Sequence, residues 1–208
     1  FVKYSMLKIL FSISPAILIL LFFYFKDKFR EPPVHVFQAF FLGVMIVLPV
    51  VLVNEIFYDD FCWNKIQGSY FGKSVYNHLS RVAFQEELWK FLILFFFFSH
   101  LMEEPMDGIV YGTVVTLGFA TLENYDYVYR WAEYYGVQPI EIAYARSYTA
   151  IPLHALCGVI MGFYFGMYDF VSGGKNLSLA LIVPYVIHGS YNFLVSFPNY
   201  YFLGVLFI

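Results

Sequence analysis

Apolar stretches long enough to cross a bilayer follow one another along this chain, separated by short polar punctuation. A span needs ~20 mostly apolar residues, and the first candidate runs from about Tyr4 to Phe25, closing at the charged "KDKFREPP". The second covers about Val34 to Phe57. The mixed polar and aromatic "YDDFCWNKIQGSYFGKSVYNHLS" that follows reads as an interfacial loop or amphipathic piece. A third span begins near Arg81 and ends at Ser99, and "HLMEEPMDG" joins it to a fourth, about Pro105 to Tyr129. After "RWAEYYGVQPIE" a fifth covers about Tyr144 to Phe170, "VSGGKN" forms a turn, and a sixth runs from about Leu177 to Phe197. The closing "FPNYYFLGVLFI" reads as the start of a seventh. The pattern predicts an all-α fold, a polytopic transmembrane helix bundle of six to seven or more spans. Residues 1–208 are expected to form one membrane domain, incomplete at both termini.

Composition agrees with that reading. The chain is 61% hydrophobic and 13% charged, with a mean hydropathy of +0.67, whereas soluble domains carry about 25% charged residues. Its 26 Phe and 19 Tyr suit lipid-facing surfaces and interfacial belts. A net charge of −3 without a basic block excludes nucleic acid as a partner and leaves membrane lipid. Cys62 and Cys157 make no disulfide framework, and Cys157 reads as a buried free thiol. If the N-terminal side is called A, Lys3, Lys8, Lys65, Lys73, Arg81, Arg130 and Arg146 fall on A. Lys26, Lys28, Arg30 and Lys175 fall on B. The positive-inside rule then favours A as the cytoplasmic side of a multi-pass protein in a prokaryotic cell membrane.

Against this background the ionisable residues inside spans need a reason, since such residues usually face the protein interior and serve function. They are Glu86, Glu87 and Lys90 in span three, Glu123 in span four, His154 in span five, and His188, with Asn192 one turn on, in span six. At ~1.5 Å per residue, Glu86 and Glu87 lie about two turns below side A. Glu123 arrives from side B some 18 residues into its span. His154 and His188 fall at a similar depth, so spans three to six deliver acids and imidazoles to one layer. Gly158, Gly162 and Gly166 follow His154 at steps of four, and Gly108, Gly112, Thr116 and Ala120 lead to Asn124 beside Glu123. Such small-residue stripes let helices pack closely, which points the histidine and the Glu123–Asn124 pair into the bundle. Lys90 shares a face with Glu86 and partly neutralises the acids. By contrast Glu103, Glu104 and Asp107 sit where a helix N-terminus stabilises negative charge, a structural role. Asp59 and Asp60 read as solvated, and His35, His78 and His100 have no suggested partner.

"EELWK", "GFATLEN", "HALCG" and "HGSYN" resemble, in order and spacing, the four motifs of the PrsW family of intramembrane proteases, over about residues 81–197. That family is related to the CAAX-type and Abi membrane endopeptidases, and Glu123 stands where those enzymes carry the histidine of FxxxH. The resemblance implies peptide hydrolysis in or beside the membrane. The implied substrate is a single-span or otherwise membrane-anchored protein such as an anti-sigma factor. The implied catalytic residues are Glu86, Glu87, Glu123, His154, His188 and Asn192, with Lys90 and Asn124 in support. No Ser or Cys pairs with a base in this layer, so water is the expected nucleophile. Two arrangements stay open. In one, His154, His188 and a carboxylate (Glu123 or Glu87) hold Zn²⁺ while Glu86 is the general base. In the other, Glu86 activates water without metal, and His188 and Asn192 stabilise the oxyanion. A proton- or cation-coupled transporter is the competing reading, because buried Glu and His also build proton relays.

Overall fold

A computed structural model describes residues 2–56, 69–171 and 173–196. Helix α1 (Val2–Lys26) leads through a short loop to α2 (Pro33–Met45) and α3 (Val47–Val53), which continue one another. A second long helical stretch comprises α4 (Tyr70–Val75), a π-helical segment (Tyr76–Ala83), α5 (Phe84–Ile93), a second π-helical segment (Leu94–Phe98) and a 3₁₀ turn (Ser99–Leu101). Then come α6 (Pro105–Asp126), a π-helical segment (Tyr127–Trp131), α7 (Ala132–Tyr135), α8 (Pro139–Tyr148), α9 (Ala150–Phe170) and α10 (Gly174–Val195). No strand occurs among the described residues.

By length and composition, four stretches can cross a membrane: Ile9–Lys26, Pro33–Ile56, Pro139–Phe170 and Gly174–Val195. The bundle is therefore an integral membrane fold. The other two expected spans form as helices too, but one begins at Tyr70 rather than near Arg81, and both are the carriers of buried polar groups. The expected seventh span, Cys62, Asp59 and Asp60 lie outside the described residues. Lipid-facing aromatics such as Phe22, Phe37 and Phe96 remain exposed on the bundle's outside, as a hydrocarbon environment allows.

The organising element is α6. From Gly108 to Thr121 nearly every residue is buried, so this helix has no lipid face and packs against α9 and α2 on different sides. Both contacts are made through glycine. A Cβ on Gly162 would lie 1.9 Å from the carbonyl oxygen of Gly108, and one on Gly112 would lie 2.5 Å from that of Gly158. Gly118 meets the backbone of Phe40, and Gly43 that of Val115, in the same manner. The two small-residue stripes therefore face each other, as their spacing suggested, and they set the depth at which Glu123 and His154 meet. Glu104 and Asp107 prove structural: Asp107 Oδ2 accepts from the amides of Glu103 (2.6 Å) and Glu104 (2.9 Å) at the N-terminus of α6.

On side B the loop between α1 and α2 is latched to α6 by a hydrogen bond from the Tyr111 hydroxyl to Glu31. Burial, together with the nearby Asp107 and Asp27 carboxylates, raises the Glu31 carboxyl to about pKa 7 against the opposing effect of the Tyr111 bond. A raised carboxyl favours the fold below its unfolded value, and that contribution fades as pH rises through about 7.

Two outcomes are expected. Gly162→Ala should destabilise the protein by about 1–3 kcal/mol or more through forced separation of α6 and α9. Gly189→Ala, whose Cβ would meet only side chains and Leu79 Cα at 3.0–3.4 Å, should cost less. Thermal unfolding in detergent compares them. The same assay should find wild-type protein losing stability between pH 5 and pH 8, and Glu31→Gln flattening that slope; an unchanged slope would remove Glu31 as its source.

Candidate active site

Each helix brings its polar residue inward for a local reason. On α5, Gln85, Glu86, Glu87 and Lys90 are buried while Phe84 faces outward against Tyr185, so one helical face is polar and the opposite face greasy. The π-helical segments on either side of α5 are wider turns of the kind often found at functional sites. On α9, His154 lies on the small-residue face that abuts α6. On α10, His188 projects toward α5 beside Gly189, whose missing side chain admits Leu79.

The groups converge. Glu87 Oε1 accepts from Lys90 Nζ at 2.8 Å and from His188 Nδ1 at 2.8 Å. The ammonium can only donate, and the carboxylate can only accept, so His188 carries its hydrogen on Nδ1 and turns Nε2 toward Glu86 Oε2, 3.8 Å away. Lys90 Nζ also lies 3.8 Å from Glu86 Oε2, 3.4 Å from His154 Nδ1 and 4.2 Å from the centre of the Phe119 ring. His154 Nε2 lies 3.0 Å from Glu123 Oε2, and the two imidazoles meet edge to face with centroids 4.9 Å apart. Glu87 and Lys90 have no exposed surface, and His154 and His188 are only 1% and 2% exposed.

Six residues named from the sequence thus form one cluster: Glu86, Glu87, Lys90, Glu123, His154 and His188. Asn124 lies beside it, braced between α1 and α8: its Nδ2 donates to the Ser12 carbonyl at 2.7 Å and its Oδ1 accepts from Arg146. Asn192 follows His188 by a turn and is half-buried, but makes no hydrogen bond to the cluster among the described residues. Cys157 is buried and free, as expected. Arg146 was overlooked as a site residue and counted only as a side-A charge. Its Nη2 donates to Glu123 Oε2 at 2.6 Å. Charge counting would have found it, because three carboxylates in one buried layer need more than one lysine.

A metal would fit here. Glu87, His154 and His188 each offer a ligand atom, all within 4.8 Å of one another, and two imidazoles with a carboxylate are a donor set for Zn²⁺. Glu86 Oε2 and Glu87 Oε2 are buried without a hydrogen-bond partner. The carboxylate of this triad is Glu87. Glu123, the other carboxylate expected as a candidate ligand, is held by Arg146 and His154.

Comparison with known sequences decides what this cluster belongs to. A family model described as "PrsW family intramembrane metalloprotease" matches residues 31–208. The chain belongs to the PrsW family. Among its relatives, Protease PrsW of Bacillus subtilis (strain 168) is 39% identical over 190 residues, covering 89% of this chain and 81% of that protein. Protease PrsW of Geobacillus kaustophilus is 32% identical over 188 residues, covering 88% and 77%. Protease PrsW of Clostridioides difficile is 27% identical over 194 residues, covering 89% and 78%. No solved structure matches. As a PrsW-family member the chain is an integral membrane endopeptidase acting on membrane-embedded protein, and the transporter reading falls away.

The buried pairing carries an expected outcome. Lys90→Met leaves Glu87 without its cation, and breaking a buried ion pair costs about 3–5 kcal/mol. The unfolding midpoint in detergent should fall accordingly; an unchanged midpoint would mean that His188 alone satisfies Glu87.

Proposed function

We propose that the cluster hydrolyses a peptide bond of a membrane-anchored, single-span protein, an anti-sigma-factor-like substrate, with Glu86 as general base. What carries this reading is Glu86 Oε2. It is buried, has no hydrogen-bond partner, and stands 3.8 Å from His188 Nε2 at the edge of the Glu87–His154–His188 triad. An acceptor in that state can take a proton from a water seated between itself and the imidazole, and a position one water away suffices for general-base work. Glu87, unlike Glu86, has one oxygen committed to both Lys90 and His188 and is therefore poorly placed to receive a proton.

Glu87, His154 and His188 would hold a divalent cation such as Zn²⁺. When bound, that ion would supply Lewis-acid polarisation and a more acidic water. The chain's own residues supply the rest. Lys90 holds Glu87 in place, Glu123 holds His154, and Phe119 and the glycine-packed helices exclude bulk water, which strengthens every charge interaction in the layer. Asn192, one turn beyond His188 on the same helix, is the donor assigned to the developing oxyanion once substrate is seated. The leaving amine would receive from Glu86 the proton that the attacking water gave up, as the C–N bond breaks.

The test is cleavage of a single-span substrate by purified protein in liposomes. Glu86→Gln and His154→Ala should each abolish cleavage while leaving the unfolding midpoint within a few degrees of wild type. Exhaustive chelation should also abolish it, with zinc restoring activity. Full activity in metal-free protein would reject the zinc arrangement and leave Glu86 acting directly on water. Full activity in Glu86→Gln would reject the site.

A further inference from the structure

The guanidinium of Arg146 is held more firmly than a surface charge needs to be. It sits in the last turn of α8, just before Thr149 (φ −123°, ψ −78°) breaks the chain out of helical geometry and α9 begins. Its Nε donates to Asn124 Oδ1 at 2.8 Å, its Nη2 donates to Glu123 Oε2 at 2.6 Å, and its carbon lies 3.9 Å from the centre of the Tyr127 ring. Asn124 is itself anchored to the Ser12 carbonyl. Two directed donors and a stacked face use the planar fork of arginine, which lysine does not have.

The consequence runs through one oxygen. Glu123 Oε2 faces Arg146 on one side and His154 Nε2, 3.0 Å away, on the other. A guanidinium only donates, so the shared oxygen is an acceptor, and the hydrogen of the second contact must sit on His154 Nε2. His154 Nδ1 then bears a lone pair. At the other end of the ring the same answer is required, because Nδ1 is 3.4 Å from the Lys90 ammonium, which also only donates. Donors on both flanks thus impose one tautomer.

We propose that Arg146 is a positioning residue for peptide hydrolysis: by fixing Glu123 it sets the Nε2–H tautomer of His154 and keeps Nδ1 turned toward Lys90 and Glu87. The proposal rests on the reading of His154 as part of the hydrolytic site. Carboxylates that orient an imidazole in this way typically matter by about 10–100-fold in activity. Arg146 acts one step further out, through the carboxylate.

The experiment compares wild type, Arg146→Gln and Arg146→Lys, with Glu86→Gln and His154→Ala in parallel, on the single-span substrate in liposomes. Arg146→Gln should lower kcat about 10–100-fold with KM within about twofold. Arg146→Lys should recover part of the loss, because an ammonium can still reach Glu123 but lacks the separate Nε donor that Arg146 gives to Asn124. Nitrogen-15 NMR of histidine-labelled protein, with the His154 signal assigned by its absence in His154→Ala, should show the Nε2–H tautomer in wild type and a tautomer mixture in Arg146→Gln. Wild-type kcat in Arg146→Gln, or an unaltered His154 tautomer in that variant, would overturn the proposal. So would a loss of kcat that simply follows the unfolding midpoint, as in the destabilised Gly162→Ala. If Glu86→Gln and His154→Ala stay active, the hydrolytic reading itself fails, an outcome distinct from the others.

Discussion

The double hydrogen bond on Glu87 Oε1, received from Lys90 and His188 at 2.8 Å each, is the interaction on which the polar layer depends. A carboxylate with no exposed surface is tolerable only if its charge is matched. Here the match comes from a lysine one turn along the same helix and an imidazole from α10. This ties α5 to α10 at one depth. The second carboxylate, Glu123, is matched by Arg146 and His154 and ties α6 to α8 and α9. Lys90 and the two imidazoles, set edge to face, join the halves. Glu86 is the member left without a hydrogen bond among the described residues, which is why the proposed mechanism gives it the water.

Such a layer needs a rigid frame, because an ion pair that lengthens by an ångström or two in hydrocarbon loses much of its compensation. The glycine contacts provide that frame. Where Gly108 and Gly112 meet Gly158 and Gly162, backbone touches backbone, and the relative height of Glu123 and His154 follows from that register. Local chemistry and packing therefore agree: the same small-residue stripes that bring α6 and α9 together end at the residues that face each other across the site.

Much of this could be read from the chain. Depth and helical face follow from residue counting, so the convergence of Glu86, Glu87, Glu123, His154 and His188 was legible, as was the structural role of Asp107. Three things were not. Spacing cannot say which oxygen of which acid turns toward a histidine, so the choice between Glu87 and Glu123 as the triad's carboxylate needed coordinates. Arg146 looked like one more cation at a membrane edge because nothing local marks a partner on another helix. The π-helical turns around α5 leave no compositional signal, and with them the early start, at Tyr70, of the helical stretch that contains α5 was hidden inside a segment that reads as interfacial. Asn192 has the right spacing from His188 yet makes no bond to the cluster, since a shared helical face does not by itself bring two side chains to a common partner.

The glycine seam also sets how the molecule can move. Side chains at an ordinary helix interface are compliant and let two helices slide by small amounts. At the α6–α9 seam the yielding layer is thin: carbonyl oxygens sit against glycines, and at Gly158 the neighbour is the short Thr116 hydroxyl. The α5–α10 side is built differently, from ring-on-ring contacts such as Phe84 against Tyr185 and Phe71 of α4 against Phe193. Those can tilt and re-seat continuously. The bundle thus has a stiff seam and a softer flank, and Glu86, whose Oε2 makes no hydrogen bond, belongs to the softer side.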